Sequence, residues 1–121
     1  MEWDIRNDRP IYTQLIQQVT LAILSGTFPC GGRLPPVREM AAEAGVNPNT
    51  MQRALAELER TGLVYTQRTA GRFVTEDVAV VDSAKQELAH QQVGAFLRRM
   101  ERMGYDREQA AQLVRSWKEE A

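Results

Sequence analysis

The sequence predicts a mainly α fold carrying one small β-hairpin, and three observations predict it. Apolar residues recur with a 3.6-residue period over most of the chain. A single pair of short runs rich in β-formers, Leu63–Thr66 and Arg72–Thr75, brackets a polar turn. The length of 121 residues, 43% hydrophobic and 26% charged, fits one compact domain or a domain with a short extension.

The first helix is expected over Pro10–Ser25, where Ile11, Leu15, Val19, Ala22 and Ile23 share one face. Pro10 suits its first turn and Gly26 its end. Thr27–Pro36 (TFPCGGRLPP) holds three prolines and two glycines and is expected to be an irregular loop. Val37–Ala44 is a short helix closed by Gly45, with Val37, Met40, Ala41 and Ala44 on its apolar side. Asn47 is a good N-cap and Pro48 a good first residue for the next helix, which should run to Thr61 before Gly62 stops it. Two helices joined this tightly have helix-turn-helix spacing.

The hairpin follows, with Gln67–Gly71 (QRTAG) as its basic tip, and Trp3, Asp4 and Ile5 are expected to add a third strand. Ser83 and Gln86 resemble a capping box opening a tail helix of roughly 20 residues, and Asp106 with Gln109 another cap opening a last helix of roughly 14. The expected division is 1–76 for the head and 77–121 for a helical tail.

Charge and cysteine usage narrow the function classes. Lys plus Arg is 15 and Asp plus Glu 16, so net charge argues neither for nor against a polyanionic partner. The distribution says more: Ala44–Ala56 holds Arg53 and no acid, and Arg60–Thr75 holds Arg60, Arg68 and Arg72 and no acid. Cys30 is the single cysteine, so no intramolecular disulfide or multi-thiolate metal site can form. No apolar run approaches the roughly 20 residues that cross a bilayer, and residues 1–10 lack the pattern of a signal peptide. A cytoplasmic protein without membrane association is expected. No Ser, His and acid grouping, paired carboxylates in an apolar frame or phosphate-cradling glycine loop is present, so neither catalytic residues nor cofactors nor metal ligands are expected.

Around the helix opened by Asn47, Met51, Ala54, Leu55 and Leu58 gather on one side and should face the core. The opposite stripe is Asn49, Arg53, Ala56 and Arg60, flanked by Thr50 and Gln52. Amide and guanidinium groups in that arrangement can reach base edges and phosphates when a helix enters the major groove. Over Leu34–Val74 the chain reads LPPVREMAAEAGVNPNTMQRALAELERTGLVYTQRTAGRFV and resembles the winged helix-turn-helix of GntR-type bacterial transcription regulators. Asn47, Pro48, Asn49 and Thr50, then Gln52, Arg53 and Ala54, together with the short tail, are similar to the YtrA subfamily, whose tail is a short helical dimerisation segment.

The resemblance implies a sequence-specific DNA-binding regulator, a repressor, that meets a palindromic operator as a homodimer. By the match, Arg38, Thr50 and Arg53 are the expected phosphate or base contacts and Gly71 the wing turn; Asn47, Asn49 and Gln52 are further candidate DNA contacts on the same helix, and Arg68 and Arg72, which flank the wing turn, are expected in the minor groove or on phosphate. Pro48 and Gln52 stand where the broader family often has arginine, Pro36 where it has serine and Thr69 where it has the first wing glycine, so no relative's operator can be transferred. In the tail, Leu88, Phe96, Leu97, Met100, Leu113, Val114 and Trp117 exceed what two short helices can bury against each other, and a twofold mate would cover them. His90, on the polar side of the tail helix, is expected to be structural. A small-molecule effector remains open as a further partner. The competing reading is a winged helix used as a protein-interaction module in a larger assembly.

Overall fold

The computed structural model describes residues 1–120. The element order is α1 (Ile11–Leu24), α2 (Val37–Ala44), α3 (Pro48–Arg60), β1 (Val64–Gln67), β2 (Gly71–Val74), α4 (Val78–Arg102) and α5 (Arg107–Ser116). The chain forms two compact units, a first from Met1 to Ala84 and a second from Lys85 onward.

In the first unit α1, α2 and α3 enclose one core. Leu15, Val19 and Ile23 of α1 meet Met40 and Ala41 of α2 and Met51, Ala54, Leu55 and Leu58 of α3, all buried. The four α3 residues are those the helical period selects. Gly45 closes α2 at φ +72°, a left-handed conformation that glycine adopts without penalty. The chain then re-enters a helix at once, because the Asn47 side chain accepts a hydrogen bond from Asn49 N at 2.8 Å and Pro48 fills the first position.

β1 and β2 pair antiparallel with Val64 opposite Val74, Tyr65 opposite Phe73, Thr66 opposite Arg72 and Gln67 opposite Gly71. The strands are shifted by one residue from the expected bounds, because Gln67 and Gly71 pair and leave Arg68, Thr69 and Ala70 as the turn. Val64 and Val74 are buried against the helical core, while the rings of Tyr65 and Phe73 stack at 5.6 Å.

The third strand expected at Trp3–Ile5 does not form. Gln18 holds both the N–H and the carbonyl of Asp4, at 3.0 and 2.7 Å, and Gln14 holds both those of Arg6, at 2.8 and 2.7 Å. The N-terminal backbone is therefore satisfied by side chains of α1 and has no need of a ladder. The free edge of β2 is met instead by the proline-rich loop. Leu34 N donates to Arg72 O at 2.8 Å, and Val74 N donates to Gly32 O at 2.9 Å. This covers an edge that would otherwise invite pairing with another chain.

The tail helix starts earlier than the capping-box pattern indicates. Asp77 accepts from Ala79 N at 3.0 Å and opens α4 at Val78, so Ser83 lies within the helix. The earlier start brings Val81 into the core of the first unit, a gain that an opening at Ser83 would forgo. α4 spans 25 residues and α5 only 10. The cap predicted for α5 is present: Asp106 accepts from Gln109 N at 2.8 Å and Gln109 accepts from Asp106 N at 2.9 Å. Trp117 was expected on the last helix; its extended backbone, φ −65° and ψ 134°, places it just past the end. Among the described residues no helix is long and apolar enough to cross a membrane.

Candidate nucleic-acid interface

The outward side of α3 carries the amide and guanidinium groups read from the sequence. Asn49, Gln52 and Arg53 are exposed and Thr50 is half-buried. Asn47 is also exposed, but its side-chain oxygen is engaged in capping the helix. Arg53 does not extend freely: its guanidinium lies over the ring of Tyr12 from α1, 5.0 Å from the centroid. This cation–π contact restrains the guanidinium while leaving its N–H groups able to bond a base or a phosphate.

The basic residues fall into two groups. Arg60 pairs with Glu57 one turn earlier on α3. The hydrogen bond from Arg60 holds the Glu57 carboxyl below its ordinary value, and the Glu57 carboxylate in turn raises Arg60. Arg72, expected in the wing contact set, is largely enclosed and turned towards α3. Its Nε donates to Glu59 at 2.7 Å and its Nη1 to Gln52 Oε1 at 3.1 Å. Thr66, opposite Arg72 on the hairpin, also donates to Glu59. Burial pushes the Glu59 carboxyl up, yet the hydrogen bonds from Thr66 and Arg72 and the charge of Arg72 outweigh it and hold it below the ordinary carboxylate value.

Arg33, Arg38, Arg53 and Arg68 form the other group. Among the described residues none of them has a carboxylate within ion-pair distance, and all four are exposed. Arg38 stands in the first turn of α2, whose N-terminal N–H groups have no side-chain cap. Arg68 is at the hairpin tip. A cleft of about 280 Å³ lies between loop and hairpin, lined among others by Arg33, Pro36, Val37, Arg68 and Arg72. Glu39 in the same first turn of α2 offsets part of the charge, but an uncapped helix start beside guanidinium groups that form no ion pair still offers donors to a phosphate oxygen. Gly71 sits at φ +106°, a conformation that glycine adopts without penalty, and a Cβ there would also press on the Arg33 side chain at 3.2 Å from Nε.

Arg33, Tyr12 and Glu59 are the members of this surface that the sequence reading left out. Arg33 had a signal, since it is the one charge in the Thr27–Pro36 loop. Glu59 had a weaker one, lying seven residues after Gln52 and thus on nearly the same side of the helix. Tyr12 had none, because its role depends on how α1 crosses α3.

The second unit is organised differently. From Lys85 to residue 120, Ala110 is the one fully buried hydrophobic residue, while Val93, Met103, Tyr105, Leu113, Val114 and Trp117 are exposed. Of the expected pairing residues, Leu88, Phe96, Leu97 and Met100 are half-buried. Phe96, Met100, Leu113, Val114 and Trp117 line an open apolar groove of about 520 Å³.

Comparison with known proteins places these features in a family context. Residues 11–74 match the family described as "Bacterial regulatory proteins, gntR family". An uncharacterised HTH-type transcriptional regulator of Bacillus subtilis, YhcF, is 34% identical over 119 residues, covering 98% of each chain. The HTH-type transcriptional repressor YtrA of the same organism is 43% identical over 74 residues, covering 61% of this chain and 57% of its own. Among solved structures, a GntR family transcriptional regulator from Listeria monocytogenes superposes with a TM-score of 0.89 at 34% identity, covering 94% of this chain and 100% of its own.

Proposed function

The chain belongs to the gntR family of bacterial regulatory proteins, whose members are DNA-binding transcription regulators, and from that premise we propose that it represses transcription as a homodimer on a palindromic operator. In this reading residues 1–76 bind DNA and residues 77–121 join two copies. The observation that carries it is the outward stripe of α3, where Asn49, Gln52 and Arg53, in cation–π contact with Tyr12, stand exposed, together with Arg33, Arg38 and Arg68, none of which pairs with a carboxylate among the described residues. Arg53, Asn49, Thr50 and Gln52 face base edges, and Arg38, Arg33 and Arg68 meet phosphates on either side.

Pairing follows from discrimination. One recognition helix spans a few base pairs, and each mismatch costs about 1 to 3 kcal/mol, too little for a single head to find one site in a genome. Two heads related by a twofold axis double the site and require it to be palindromic. The exposed apolar residues of the second unit support that arrangement, because a solvated Trp117 and Val114 beside an open groove gain from a symmetric mate. The repressor assignment is supported by the likeness to the repressor YtrA.

Selection of bound duplexes from a random library tests binding, symmetry and half-site spacing together, and sedimentation at micromolar concentration tests pairing. A palindromic consensus bound by a dimer, with affinity falling steeply as salt rises, is the expected result. A monomer, or salt-insensitive association, counts against the proposal.

A further inference from the structure

Arg72 reaches a side chain on the face of α3 proposed to meet DNA, and the contact fixes that side chain's chemistry. Gln52 Oε1 accepts from Arg72 Nη1 at 3.1 Å. Arg72 is itself anchored, its Nε bonded to Glu59 at 2.7 Å and its side chain only 15% exposed. Gln52 and Glu59 lie about 10.5 Å apart along the helix axis on nearly one side, and Arg72 bridges them. Every polar hydrogen of an arginine is a donor, so the glutamine atom facing it is the carbonyl oxygen. The amide nitrogen of Gln52 is the end left free, on an exposed side chain.

We propose that Arg72 turns Gln52 into a donor-type reader, so that Gln52 selects the guanine edge of the major groove over adenine. The inference rests on the DNA-binding reading above. An untethered glutamine pairs with adenine by accepting from N6–H2 while donating to N7, which uses both ends of the amide. Here the oxygen is engaged by a cation. Its second lone pair remains, but an adenine amino group approaching it would share an oxygen already polarised and would face the guanidinium's positive charge. Guanine offers two adjacent acceptors, O6 and N7, so an amide N–H finds a partner at either and the guanidinium's charge attracts both, whereas adenine offers N7 alone beside its repelled amino group. Geometry and charge therefore point the same way. Arg72 acts as a positioning residue through Gln52, which accounts for an arginine of the wing being turned inward.

The test is selection from a random duplex library with the full chain and three variants. Gln52→Ala marks the base position that residue 52 reads, by loss of preference there alone. At that position the wild-type chain should favour guanine over adenine by about tenfold. Arg72→Met removes the tether while keeping an apolar stem, and should raise adenine to at least the level of guanine at this one position, which general weakening of the wing would not do. Gln52→Glu, exposed and able to keep Arg72 as its partner, removes the donor and should abolish the guanine preference, so the proposal remains testable should Arg72→Met fail to fold. Adenine favoured by the wild type, no position depending on residue 52, or guanine still favoured in Arg72→Met or Gln52→Glu overturns the assignment. If the wild-type chain enriches no sequence, the DNA-binding reading falls and this one with it; a clear consensus indifferent to residue 52 removes this one alone.

Discussion

The two compact units treat their apolar residues in opposite ways. From Met1 to Ala84 a contiguous cluster joins three helices, the hairpin and the first turns of α4, with Leu15, Val19, Met51, Ala54, Leu55 and Val74 wholly out of solvent. Among the described residues from Lys85 onward Ala110 alone is so enclosed, while Trp117 is 71% and Val114 60% exposed. Composition does not produce the contrast, since both units are rich in apolar side chains at helical spacing. What differs is the number of layers. Three helices and a sheet can close around a centre, whereas two helices leave each other's outer flanks to water. The first unit therefore closes around its own core, and the second is left with an exposed apolar surface, the one proposed above to meet a second copy.

The sharpest way to break this contrast is to open the closed unit. Leu55 is fully buried on the inner side of α3. Leu55→Ala should cost about 2 to 5 kcal/mol of stability, a large share of the roughly 5 to 15 kcal/mol typical of a domain. Thermal melting should show a strongly lowered midpoint, with DNA binding lost in proportion to unfolding. A shift within the error of the melt would mean that the centre of the first unit is less tightly packed than its zero exposure indicates.

The complementary change belongs to the open unit. Trp117→Ala removes a ring that is mostly solvated in the single chain, so the fold should be unaffected and the proposed dimer weakened by about 2 kcal/mol or more if the ring anchors the pairing. Sedimentation should show a higher dimer dissociation constant with an unchanged melt, and operator affinity should fall only as the dimer is lost. Selective loss of DNA binding by an intact dimer would refute that division of labour.

Arg53→Ala probes the first unit's surface and leaves its core alone. Specific binding should weaken by about 1 to 3 kcal/mol if the guanidinium reads a base, and binding to all duplexes should weaken alike if it meets a phosphate. Tyr12→Leu should reproduce part of this loss, because the ring holds the guanidinium by a cation–π contact at 5.0 Å. Unchanged affinity for both operator and random duplex would remove Arg53 from the interface.

Legibility in the sequence followed the range of the interaction. Helices α1 to α3 and the inward residues of α3 were readable because period, proline and N-cap are local signals, and Asn47 with Asn49 confirms the cap in detail. The α5 cap was readable for the same reason. The opening of α4 was misplaced because Ser83 and Gln86 mimic a capping box, while the burial of Val81 that favours the earlier start is a tertiary gain invisible to a local pattern. The third strand failed likewise, since Gln14 and Gln18 satisfy the N-terminal backbone from another element. At the interface, residue types were legible and their states were not. Arg68 and Arg72 look equivalent in a basic hairpin, yet one is free and the other is tied to Glu59, a partner 13 residues earlier in the chain.

The smallest effect concerns that tie. The Glu59 carboxyl titrates below its ordinary value of 4.5 in the folded chain, so the unfolded chain takes up this proton at a higher pH than the folded one. The stabilisation is thus present in full above the ordinary value and fades as pH falls through the lowered one. With Glu59 partly solvated it amounts to less than about 1 kcal/mol. Glu59→Gln should melt slightly below the wild type at neutral pH, and the gap should close in acid, because the wild-type carboxylate becomes neutral there as well. The neighbouring Glu57–Arg60 pair provides the control: Glu57→Gln alters an exposed pair on the same helix and leaves the hairpin tether intact. A Glu59→Gln gap that persists unchanged into acid would show that the hairpin is held to α3 by packing alone and that the charge on Glu59 contributes nothing to the join.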